Sequence, residues 1–497
     1  MTTIATTTNP AHSQNRGALA RADLLREGAY VDGAWLAASS GAAIEVDDPF
    51  TGEIIGRVPS LSRDEVQTAV NAAERSFPAW ARELPKKRGA ILRRWFDLIM
   101  DHQEDLARLI TLENGKPLKE ARAEVAYGAG FVEFYAEEAG RIYGETIPAP
   151  SPGRRLLAER EPIGVCAAIT PWNFPLAMLT RKVAPAFAAG CTIIAKPASQ
   201  TPLTALALAV LAEEAGVPAG VLNVITGKAS MIGALLTEST VVRKISFTGS
   251  TEIGAQLMAA SAPTIKRLSL ELGGNAPLLI FDDADLDIAV ETALVAKFRN
   301  SGQSCVAANR IYVQRGVYED FLDAYAGRVR ALKLGDGLDE ATDIGPLIDS
   351  AAIIKVEEHL GEALSGGASL LAGGKSEGGR LAPPTLLRDV SPDALLTREE
   401  TFGPLAAVIP FTSIDDGVAL ANATPFGLAS YLCSSNPATI ARVGRDIESG
   451  MVGINTGLIS TAVAPFGGVK MSGLGREGSR HGLDEYLNIK YLCHAGL

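Results

Sequence analysis

A single cysteine, Cys305, stands in the segment KFRNSGQSCVAANR, behind a glycine and among small and polar residues. A thiol becomes a nucleophile when it is exposed and its thiolate is favoured, which such a segment permits better than an apolar strand does. Free cysteine is also among the most buried residue types, so a core position is the competing interpretation. Taken alone, the segment leaves four roles open: core residue, metal ligand, half of a disulfide, or nucleophile.

The other four cysteines narrow these alternatives. They are Cys166, Cys191, Cys433 and Cys493, and no two of the five cysteines are closer than 25 residues. The spacing therefore predicts neither a CxxC metal site nor a disulfide scaffold, and it favours a reducing compartment. The five histidines show no HExxH or similar ligand spacing, so no metal is expected.

Two polar residues elsewhere could assist a thiol nucleophile. In ELGGNAP, Glu271 stands against two glycines where a predicted strand gives way to a loop. Such glycines suggest a backbone closely approached by a ligand, although a lone surface glutamate is usually only solvated. In ITPWNFP, Asn173 follows another predicted strand. Its amide could donate to a developing oxyanion or, alternatively, cap a helix.

Two further segments suggest a nucleotide. KPASQTP sets Lys196 at the end of a predicted strand, and FTGSTEIG, residues 247–254, forms a Gly-rich turn that opens a helix. That geometry binds phosphate through backbone N–H groups. The segment FTGSTEIG does not match the GxGxxG fingerprint, so a conventional dinucleotide-binding motif is not written at this turn.

The elements that must position these residues alternate from residue 162 onward. Helices are predicted at 175–189 and 203–215, between strands at 165–169, 192–196, 221–225 and 242–247. Units of this length fold into a parallel, doubly wound sheet whose ligands lie beyond the carboxyl ends of the strands. A second alternating series runs from PLLIF at 277–281 to MVGIN at 451–455. The sequence therefore predicts an α/β protein with two doubly wound domains.

The ends of the chain differ from this middle. Residues 1–28 are polar and predict a loose arm, and amphipathic helices are expected at 63–82, 86–113 and 118–143. The tail GLDEYLNIKYLC alternates apolar and polar residues like an edge strand. An exposed edge in a soluble protein is usually paired, so we expect a partner subunit there.

Composition excludes several classes of protein. The chain has 497 residues, of which 47% are hydrophobic and 21% charged, so a multidomain globule is expected rather than a disordered chain. Its net charge of −11, with Lys and Arg spread along the chain, argues against nucleic acid or a membrane as a partner. No apolar run resembles a signal peptide core or is long enough to span a bilayer, which predicts a cytoplasmic protein.

Six motifs now carry a resemblance: ITPWNFP, KPAS, FTGSTEIG, ELGGNAP, GQSC and EETFGP at 399–404. In this order and spacing they resemble the aldehyde dehydrogenase superfamily, over residues 28–497. Four longer stretches, MLTRK, KFRNSGQSCVAANRIYVQ, EETFGPL and APFGGVKMSGLGREGSRHGLDEYLNIKYLC, are similar to its NADP-dependent succinate-semialdehyde dehydrogenases.

The resemblance implies an aldehyde dehydrogenase-like fold with two doubly wound parallel-sheet domains and a small β oligomerisation element. Residues 29–142 and 163–272 would form the NAD(P)-binding domain, and residues 273–470 the catalytic domain. Residues 143–162 and 471–497 would form the oligomerisation element of a homodimer or homotetramer.

The resemblance also assigns catalytic roles. Cys305 would attack the aldehyde carbon, and the Asn173 amide with the Cys305 main-chain N–H would hold the oxyanion. Hydride transfer to the nicotinamide would leave a thioester. Glu271 would activate the water that hydrolyses it.

The same resemblance places a dinucleotide. Lys196 and Ser199 would contact its adenosine ribose, Gly249 and Ser250 its pyrophosphate. The nicotinamide end would meet Trp172, Glu400 and Phe402. NAD-preferring relatives often carry a glutamate where this chain has Ser199, and a carboxylate there repels a 2′-phosphate. We therefore expect NADP, with NAD as the alternative cofactor.

Two arginines suggest the substrate. Arg181 lies eight residues after Asn173 and Arg299 six before Cys305, and both match positions that bind the substrate carboxylate in succinate-semialdehyde dehydrogenases. Arginine grips a carboxylate with two parallel hydrogen bonds, although an exposed helix arginine is normally solvated or salt-bridged. Ser460 or Thr461 would add a hydroxyl contact.

Succinic semialdehyde is thus the expected substrate. Glutarate semialdehyde is the close alternative, because one methylene is worth only about 1–3 kcal/mol of discrimination. Three other readings are weaker. A CoA-acylating aldehyde dehydrogenase commonly lacks a base such as Glu271. A catalytically inactive relative, kept as a structural or binding protein, would be free to lose Cys305. A cysteine hydrolase without redox chemistry would leave the nucleotide motifs unexplained.

One position departs from many relatives. They carry a second cysteine two residues after the nucleophile, which forms an inactivating disulfide, whereas this chain has Ala307. No intramolecular switch of that kind is expected.

Overall fold

The computed structural model describes residues 18–376 and 378–496 of the chain. Its helices are α1 Arg63–Arg82, α2 Pro85–Asp101, α3 Gln103–Asn114, α4 Leu118–Glu138, α5 Ala177–Ala189, α6 Leu203–Glu214, α7 Ala229–Glu238, α8 Thr251–Ser261, α9 Leu286–Phe298, α10 Tyr318–Arg330, α11 Ser350–Ser365, α12 Leu395–Arg398, α13 Ile414–Asn422, α14 Pro437–Asp446 and α15 Ser479–Asp484. Its strands are β1 Ala29–Val31, β2 Ala34–Leu36, β3 Ala43–Asp47, β4 Ile54–Pro59, β5 Glu145–Ile147, β6 Arg154–Pro162, β7 Val165–Ile169, β8 Thr192–Lys196, β9 Leu222–Val224, β10 Val242–Thr248, β11 Arg267–Glu271, β12 Pro277–Ile280, β13 Arg310–Gln314, β14 Ser369–Ala372, β15 Thr385–Arg388, β16 Leu405–Phe411, β17 Ala429–Cys433, β18 Met451–Ile454, β19 Gly473–Leu474 and β20 Leu487–Ala495.

The larger sheet has the strand order β19-β11-β10-β7-β8-β9-β1-β2. Its central strands, from β11 to β9, are parallel, and the strands at both ends of the sheet pair antiparallel. Strands β7 and β8 are apolar along almost their whole length because both faces of a doubly wound sheet are covered. The predicted α/β class is confirmed, although the sheet is mixed at its edges.

The register of these parallel strands brings four carboxyl ends together. Ile169 is paired with both Lys196 and Phe247, and Thr248 is paired with Glu271. Consequently the loops that carry the motifs ITPWNFP, KPAS, FTGSTEIG and ELGGNAP leave the sheet along one edge. Ligands bind at this edge in open α/β sheets.

The second sheet has the order β14-β15-β16-β13-β12-β17-β18 and is parallel except for β14 at its edge. Cys305 lies in the connection between helix α9 and strand β13. Pro277, the first residue of β12, is paired with Arg310, the first of β13. The chain therefore returns to the sheet beside ELGGNAP directly after the cysteine segment.

Helix α4 packs closely on the start of α5, and Gly128 is the reason. A Cβ added at Gly128 would lie 2.2 Å from Leu176 Cδ2 and 3.0 Å from Ala177 Cα. No larger side chain fits, so the two helices approach at this point. The neighbouring residue of α4, Tyr127, is thereby brought close to the segment that follows Asn173.

A small third sheet has the order β20-β6-β5. Strand β20 pairs antiparallel with β6 from Leu487 to Ala495 and forms one edge of this sheet. Ile489 is 71% and Tyr491 59% exposed on that strand. The edge strand predicted from the tail is present, shorter at its start because residues 479–484 form helix α15.

Several boundaries differ from prediction. The helix expected over 86–113 is divided into α2 and α3 at His102, whose φ and ψ of −108° and 23° are not helical. Helix α4 ends at Glu138, and a short 3₁₀ turn follows it. Part of the predicted arm is docked: Leu24 is buried, and the N–H groups of Ala20 and Arg21 donate to Asp105. Residues 1–17 of the arm lie outside the described residues.

Candidate active site

A cavity of about 220 Å³ opens beside Cys305 at the edge where the strand ends meet. It contains all three residues predicted to be catalytic, and five of those predicted to bind a cofactor. Its lining residues are Pro171, Trp172, Asn173, Thr248, Gly249, Ser250, Glu271, Leu272, Gly273, Cys305, Glu400 and Phe402. We call it the cofactor-side cavity.

A second, much smaller space lies on the other side of Cys305. Its volume is about 10 Å³, and we call it the inner chamber. Its lining residues are Tyr127, Phe174, Met178, Arg181, Arg299, Ser304, Cys305, Val306, Ser460 and Phe466. It adjoins an outer cavity of about 440 Å³, because Tyr127, Arg299 and Ser460 line both.

The structure separates the two hydroxyls predicted to meet the substrate. Ser460 lines the inner chamber, whereas Thr461 is exposed and lines only a surface cavity that Ser460 also lines. Both predicted arginines line the inner chamber. Cys305 lines both the cofactor-side cavity and the inner chamber.

The turn before Cys305 is strained. Asn300 and Ser301 have φ values of 53° and 56°, in the left-handed region that non-glycine residues rarely adopt. The N–H of Asn300 donates to Glu120 Oε2 at 2.7 Å, and Ser301 Oγ donates to the Gly345 carbonyl at 3.0 Å. Such conformations persist where neighbouring contacts hold them, and they cluster at functional sites.

The glycines of ELGGNAP have two separate roles. Gly273 lines the cofactor-side cavity. A Cβ at Gly274, by contrast, would lie 2.4 Å from the carbonyl oxygen of Cys305. The sequence suggested that a ligand approaches both glycines, but the close neighbour of Gly274 is the cysteine segment itself.

The side chain of Asn173 is fixed by a hydrogen bond to the segment before Cys305. Its Nδ2 donates to the Gln303 carbonyl at 3.1 Å, and only 3% of the residue is exposed. Since helix α5 starts at Ala177 and its N-cap residue is Leu176, Asn173 is not the cap of that helix. The amide can therefore serve the cavity, because an NH₂ group has a second N–H to donate.

Glu271 is a buried carboxyl near several cations, of which Arg181 and Lys182 act to lower its pKa. Only 1% of the residue is exposed, and neither carboxyl oxygen has a hydrogen-bond partner among the described residues. Burial, and next the charge of Glu477, raise the pKa of Glu271 well above its usual value. Buried polar groups are nearly always satisfied, so an unpaired carboxyl facing a cavity indicates function.

Burial also raises the pKa of the Cys305 thiol, to about 12, although the charge of Arg181 acts to lower it. The thiol is consequently protonated near neutral pH. It must lose its proton as it attacks an electrophile.

The two arginines of the inner chamber are not equivalent. Arg181 is 1% exposed, and its Nε contacts the Glu477 carboxylate, which also pairs with Lys182. Burial lowers the pKa of Arg181, but the charges of Glu477 and of the other ionisable groups around it together outweigh burial, and the net shift is upward. Arg299 forms no ion pair with a carboxylate in the part of the chain that the structure describes. Its guanidinium lies 5.0 Å from the centroid of the Phe174 ring.

The opposite end of the cofactor-side cavity has features that suit a dinucleotide. Ser250 caps helix α8, accepting a hydrogen bond from the Ile253 N–H at 3.4 Å, so the N-terminus of an eleven-residue helix opens at the cavity. Glu400 accepts from the Gly274 N–H at 3.4 Å, and burial raises its pKa to about 7. A helix N-terminus and a half-buried carboxyl fit the pyrophosphate and a ribose respectively.

Aromatic residues complete that cavity. The rings of Trp172 and Phe402 meet edge to face, with centroids 5.5 Å apart, and Phe402 has a φ of 54°. Neither Lys196 nor Ser199 lines the cavity. Lys196 lies at the carboxyl end of β8, where burial lowers its pKa to about 8.

Comparison with known proteins agrees with this geometry. The model of the "Aldehyde dehydrogenase family" matches residues 35–492. This chain belongs to the aldehyde dehydrogenase family. It is 56% identical over 478 residues to a glutarate-semialdehyde dehydrogenase of Pseudomonas aeruginosa, which covers 96% of this chain and 99% of the relative. Members of this family are oxidoreductases. The resemblance to aldehyde dehydrogenases predicted from the sequence is confirmed.

Two other relatives carry different names. A succinate-semialdehyde dehydrogenase [NADP(+)] of Escherichia coli is 56% identical over 95% of this chain and 98% of its own length. A 3-sulfolactaldehyde dehydrogenase of Pseudomonas putida is 54% identical over 95% of this chain and 98% of its own length. An aldehyde dehydrogenase crystal structure from Brucella melitensis biovar abortus 2308 superposes with a TM-score of 0.96 at 56% identity, covering 97% of this chain and 99% of that one. The predicted fold class is confirmed.

Sequence reasoning missed two residues of this aldehyde dehydrogenase site. Tyr127 lines both the inner chamber and the outer cavity, and its hydroxyl lies beside Arg181 and Ser460. Glu477 joins Arg181 to Lys182. Glu477 stands in GREGS, a glutamate among glycines like that of ELGGNAP, and that signal was available. Nothing in the sequence distinguishes Tyr127 from a core aromatic residue.

The described ranges contain neither a membrane-spanning helix nor a cluster of metal-binding side chains. Among residues 18–376 and 378–496, none of the helices combines the length and apolarity that a bilayer requires. The same ranges contain no group of three or more His, Cys, Asp or Glu residues placed to hold an ion.

Proposed function

We propose that this aldehyde dehydrogenase oxidises succinic semialdehyde to succinate with NADP. One observation carries the proposal: Cys305 lies where two unlike cavities meet. On one side are Asn173, Glu271 and a helix N-terminus suited to phosphate; on the other are two arginines and a hydroxyl. An aldehyde bound at Cys305 would therefore point its far end at a cationic chamber.

The relatives support this substrate class. Succinate semialdehyde and glutarate semialdehyde each carry a carboxylate far from the aldehyde, and sulfolactaldehyde carries a sulfonate. Arginine binds either anion with paired hydrogen bonds. In this chain Arg181 and Arg299 would be the cations, with Ser460 donating a hydroxyl hydrogen bond.

Arg299 would supply most of the attraction. The charge of Arg181 is already balanced in part by Glu477, whereas Arg299 forms no close ion pair among the residues described and is only near enough to Glu120 to influence that carboxyl's pKa. An anionic substrate would therefore give Arg299 the partner that it lacks, in a site with little water to screen the pair.

The inner chamber, at about 10 Å³, has close to the space of a single water molecule. A four-carbon aldehyde would therefore bind only if the chamber opened towards the outer cavity, with which it shares Tyr127, Arg299 and Ser460. Glutarate semialdehyde is the second candidate, favoured by the outer cavity, which shares Arg299 and would admit one more methylene.

Catalysis would start with attack of the Cys305 sulfur on the aldehyde carbon. As the C–S bond forms, the thiol proton would pass to solvent water, and the carbonyl oxygen would become an oxyanion. The free N–H of Asn173 and the main-chain N–H of Cys305 would donate to that oxygen. Donors that are fixed before the reaction need no reorganisation when the charge develops.

A bound nicotinamide would supply the hydride acceptor, so that the substrate carbon becomes a thioester on Cys305. Glu271 would then take a proton from water, whose oxygen attacks the thioester carbon. The C–S bond breaks, the carboxylic acid is released, and the Cys305 thiolate takes the proton back from Glu271. The raised pKa of Glu271 suits this task, because a carboxylate with a higher pKa is a stronger base once it has lost its proton. Trp172, Gly249, Ser250, Glu400 and Phe402 would hold the cofactor.

NADP preference rests on Ser199. A serine offers no negative charge to repel a 2′-phosphate, and Lys196 stands three residues before it. The relative of Escherichia coli is named for NADP(+), which agrees with this choice. NAD remains the alternative cofactor.

We further propose that the protein is a cytoplasmic homodimer or homotetramer. The exposed apolar residues Ile489 and Tyr491 on the edge strand β20 support pairing with a second copy. In this arrangement residues 29–142 and 163–272 would bind the nucleotide, residues 273–470 would bind the substrate, and residues 143–162 and 471–497 would form the assembly element.

Steady-state kinetics would test the proposal. The kcat/KM values of succinic semialdehyde, glutaric semialdehyde, 3-sulfolactaldehyde and butanal would be measured, each with NAD and with NADP. We expect the anionic aldehydes to exceed butanal by about 10-fold or more, since hydrogen bonds to charged groups contribute about 1.5–3 kcal/mol. Equal values for butanal and the anionic aldehydes would refute the cationic chamber, and a preference for NAD would refute the cofactor assignment.

A further inference from the structure

A buried ion pair lies behind the site, outside the linings of the cofactor-side cavity and the inner chamber. Lys116 Nζ contacts Glu124 Oε2 at 2.5 Å, and neither side chain is exposed. Lys116 belongs to the connection between α3 and α4, and Glu124 to helix α4. A buried ion pair has a large desolvation cost, which further hydrogen bonds must offset. Those further bonds all lead to the segment that contains Asn173.

Glu124 holds the end of this segment. Its second oxygen, Oε1, accepts hydrogen bonds from the N–H groups of Leu176 at 2.9 Å and Ala177 at 3.2 Å. These groups stand at the N-terminus of helix α5, whose N-cap residue makes no side-chain cap. A carboxylate is favourable there, since helix N-termini carry partial positive charge. Glu124 therefore fixes where the helix begins.

Lys116 holds the start of the segment. Its Nζ donates to the main-chain carbonyl of Asn173 at 2.8 Å. Asn300 Nδ2 donates to the same carbonyl at 3.0 Å and to the Gln303 carbonyl at 3.0 Å. Because the Asn173 amide in turn donates to Gln303, both the peptide and the side chain of Asn173 are fixed relative to the cysteine segment.

Lys116 also contacts the residue after Asn173. Its ammonium lies 3.9 Å from the centroid of the Phe174 ring, and the guanidinium of Arg299 lies 5.0 Å from the same centroid. Phe174 and Arg299 both line the inner chamber. One buried lysine thus contacts two consecutive residues that face opposite sides of Cys305.

We propose that Lys116 and Glu124 are positioning residues of this active site. Together they hold the Asn173 amide where the oxyanion forms and the Phe174 ring where it supports Arg299. Neither residue touches the substrate or the reacting atoms. The inference rests on the proposed oxyanion role of Asn173, and its test is built so that the two can fail separately.

Replacement of Lys116 by Met removes the charge and the hydrogen bond but keeps much of the side-chain length. The Asn173 carbonyl would then keep Asn300 as its donor and lose the other. We expect kcat/KM for succinic semialdehyde to fall about 10- to 100-fold, mainly through kcat, because a misplacement of about 1 Å can cost that much.

A double-mutant cycle would separate positioning from general damage. If Lys116 acts through Asn173, the K116M change should lower kcat less than about threefold in an N173A background, because the amide to be positioned is gone. If the two effects multiply, or if K116M has wild-type kcat, the inference is overturned. If N173A itself is fully active, the proposed oxyanion role fails instead.

The chain offers a matched control at Lys244. This lysine is also unexposed, pairs with Glu485 at 3.4 Å and lies 5.0 Å from the centroid of the Tyr486 ring, away from both cavities at Cys305. We expect K244M to lower the unfolding temperature as K116M does, with kcat near that of wild type. Equal losses of kcat in K116M and K244M would reduce the pair to a structural role and overturn the inference.

A second variant covers the case in which K116M fails to fold because Glu124 is left buried without a counter-charge. K116M/E124Q removes both charges and keeps a carbonyl oxygen at the N-terminus of helix α5. It should show the same lack of additivity with N173A. Wild-type kcat in K116M/E124Q would also overturn the inference.

Discussion

The two spaces that meet at Cys305 are built in different ways. The cofactor-side cavity takes most of its polar residues from loops at the carboxyl ends of neighbouring parallel strands, β7, β10 and β11. The inner chamber takes Tyr127 from the face of α4, Arg181 from α5 and Ser460 from a loop late in the chain. Strand ends concentrate functional residues in short motifs, whereas helix faces distribute them along the sequence.

This difference also divides the chemistry. Among the described residues, the cofactor-side cavity contains a carboxyl without a hydrogen-bond partner, Glu271, and the inner chamber contains a guanidinium without a close carboxylate ion pair, Arg299. A base and a cation on opposite sides of one thiol can be altered independently. Variants on each side should therefore change different kinetic constants.

Loss of the shared residue should have the largest effect, since it disables both spaces together. Replacement of Cys305 by Ser should reduce kcat by about 10³-fold or more, as removal of a nucleophile does in other enzymes. Cys493→Ser, at an exposed position on β20, is the matched control and should keep its activity. Aldehyde oxidation by C305S at the wild-type rate would remove Cys305 from the mechanism.

Replacement of Glu271 by Gln should impair only the cofactor side. We expect kcat to fall about 10²- to 10⁴-fold, the usual range for loss of a general base. The first turnover should survive, because thioester formation precedes the step that Glu271 assists. Stopped-flow absorbance of the reduced cofactor would show a burst followed by a slow steady state. A burst lost in proportion to kcat would contradict this order.

Replacement of Arg299 by Met should impair only the inner chamber. The kcat/KM of succinic semialdehyde should fall about 10- to 100-fold, mainly through KM, since a hydrogen bond to a charged group contributes about 1.5–3 kcal/mol. Butanal should change less than about threefold. Arg328→Met, at an exposed position on α10, serves as the control. Equal losses for butanal and the charged substrate would indicate distortion rather than recognition.

The pH dependence should report both deprotonations. Burial raises the pKa of Cys305 to about 12 and that of Glu271 above its usual value, and each group acts only after it has lost its proton. Activity should therefore rise with pH, by up to about tenfold per unit between about pH 6 and 9. Stopped-flow and steady-state pH profiles of wild type and E271Q would be compared. A wild-type profile that falls over this range would contradict the assignment.

The smallest effect is expected at Tyr127, which was not foreseen from the sequence. Tyr127→Phe removes a hydroxyl beside Arg181 and Ser460 and keeps the ring, which meets Phe131 at a centroid distance of 5.0 Å. The KM of succinic semialdehyde should rise about 2- to 10-fold, as for one neutral hydrogen bond, with butanal unchanged. An unchanged KM would exclude the hydroxyl from substrate binding.

Much of the site was predictable because its motifs follow strands. Glu271, Asn173, Gly249 and Ser250 each stand at a turn after an apolar run, and parallel strands bring such turns to one edge. Arg181 and Arg299 were found by resemblance rather than by periodicity. The ion pairs Arg181–Glu477 and Lys116–Glu124 were not predicted from the sequence. The two residues of each pair lie on different elements, and the charge of a residue does not show which opposite charge it will meet.

The amino-acid sequence by itself determined the alternation of strands and helices, the edge strand at the tail and the residues able to do the chemistry, because periodicity and turn residues are local properties. Only the tertiary structure decided that Cys305 separates two cavities and that Ser460 rather than Thr461 lines the inner chamber. It also decided that the Glu271 carboxyl is buried with no hydrogen-bond partner within the described part of the chain. These facts depend on which distant segments meet, and burial sets the pKa of a side chain only after they have met.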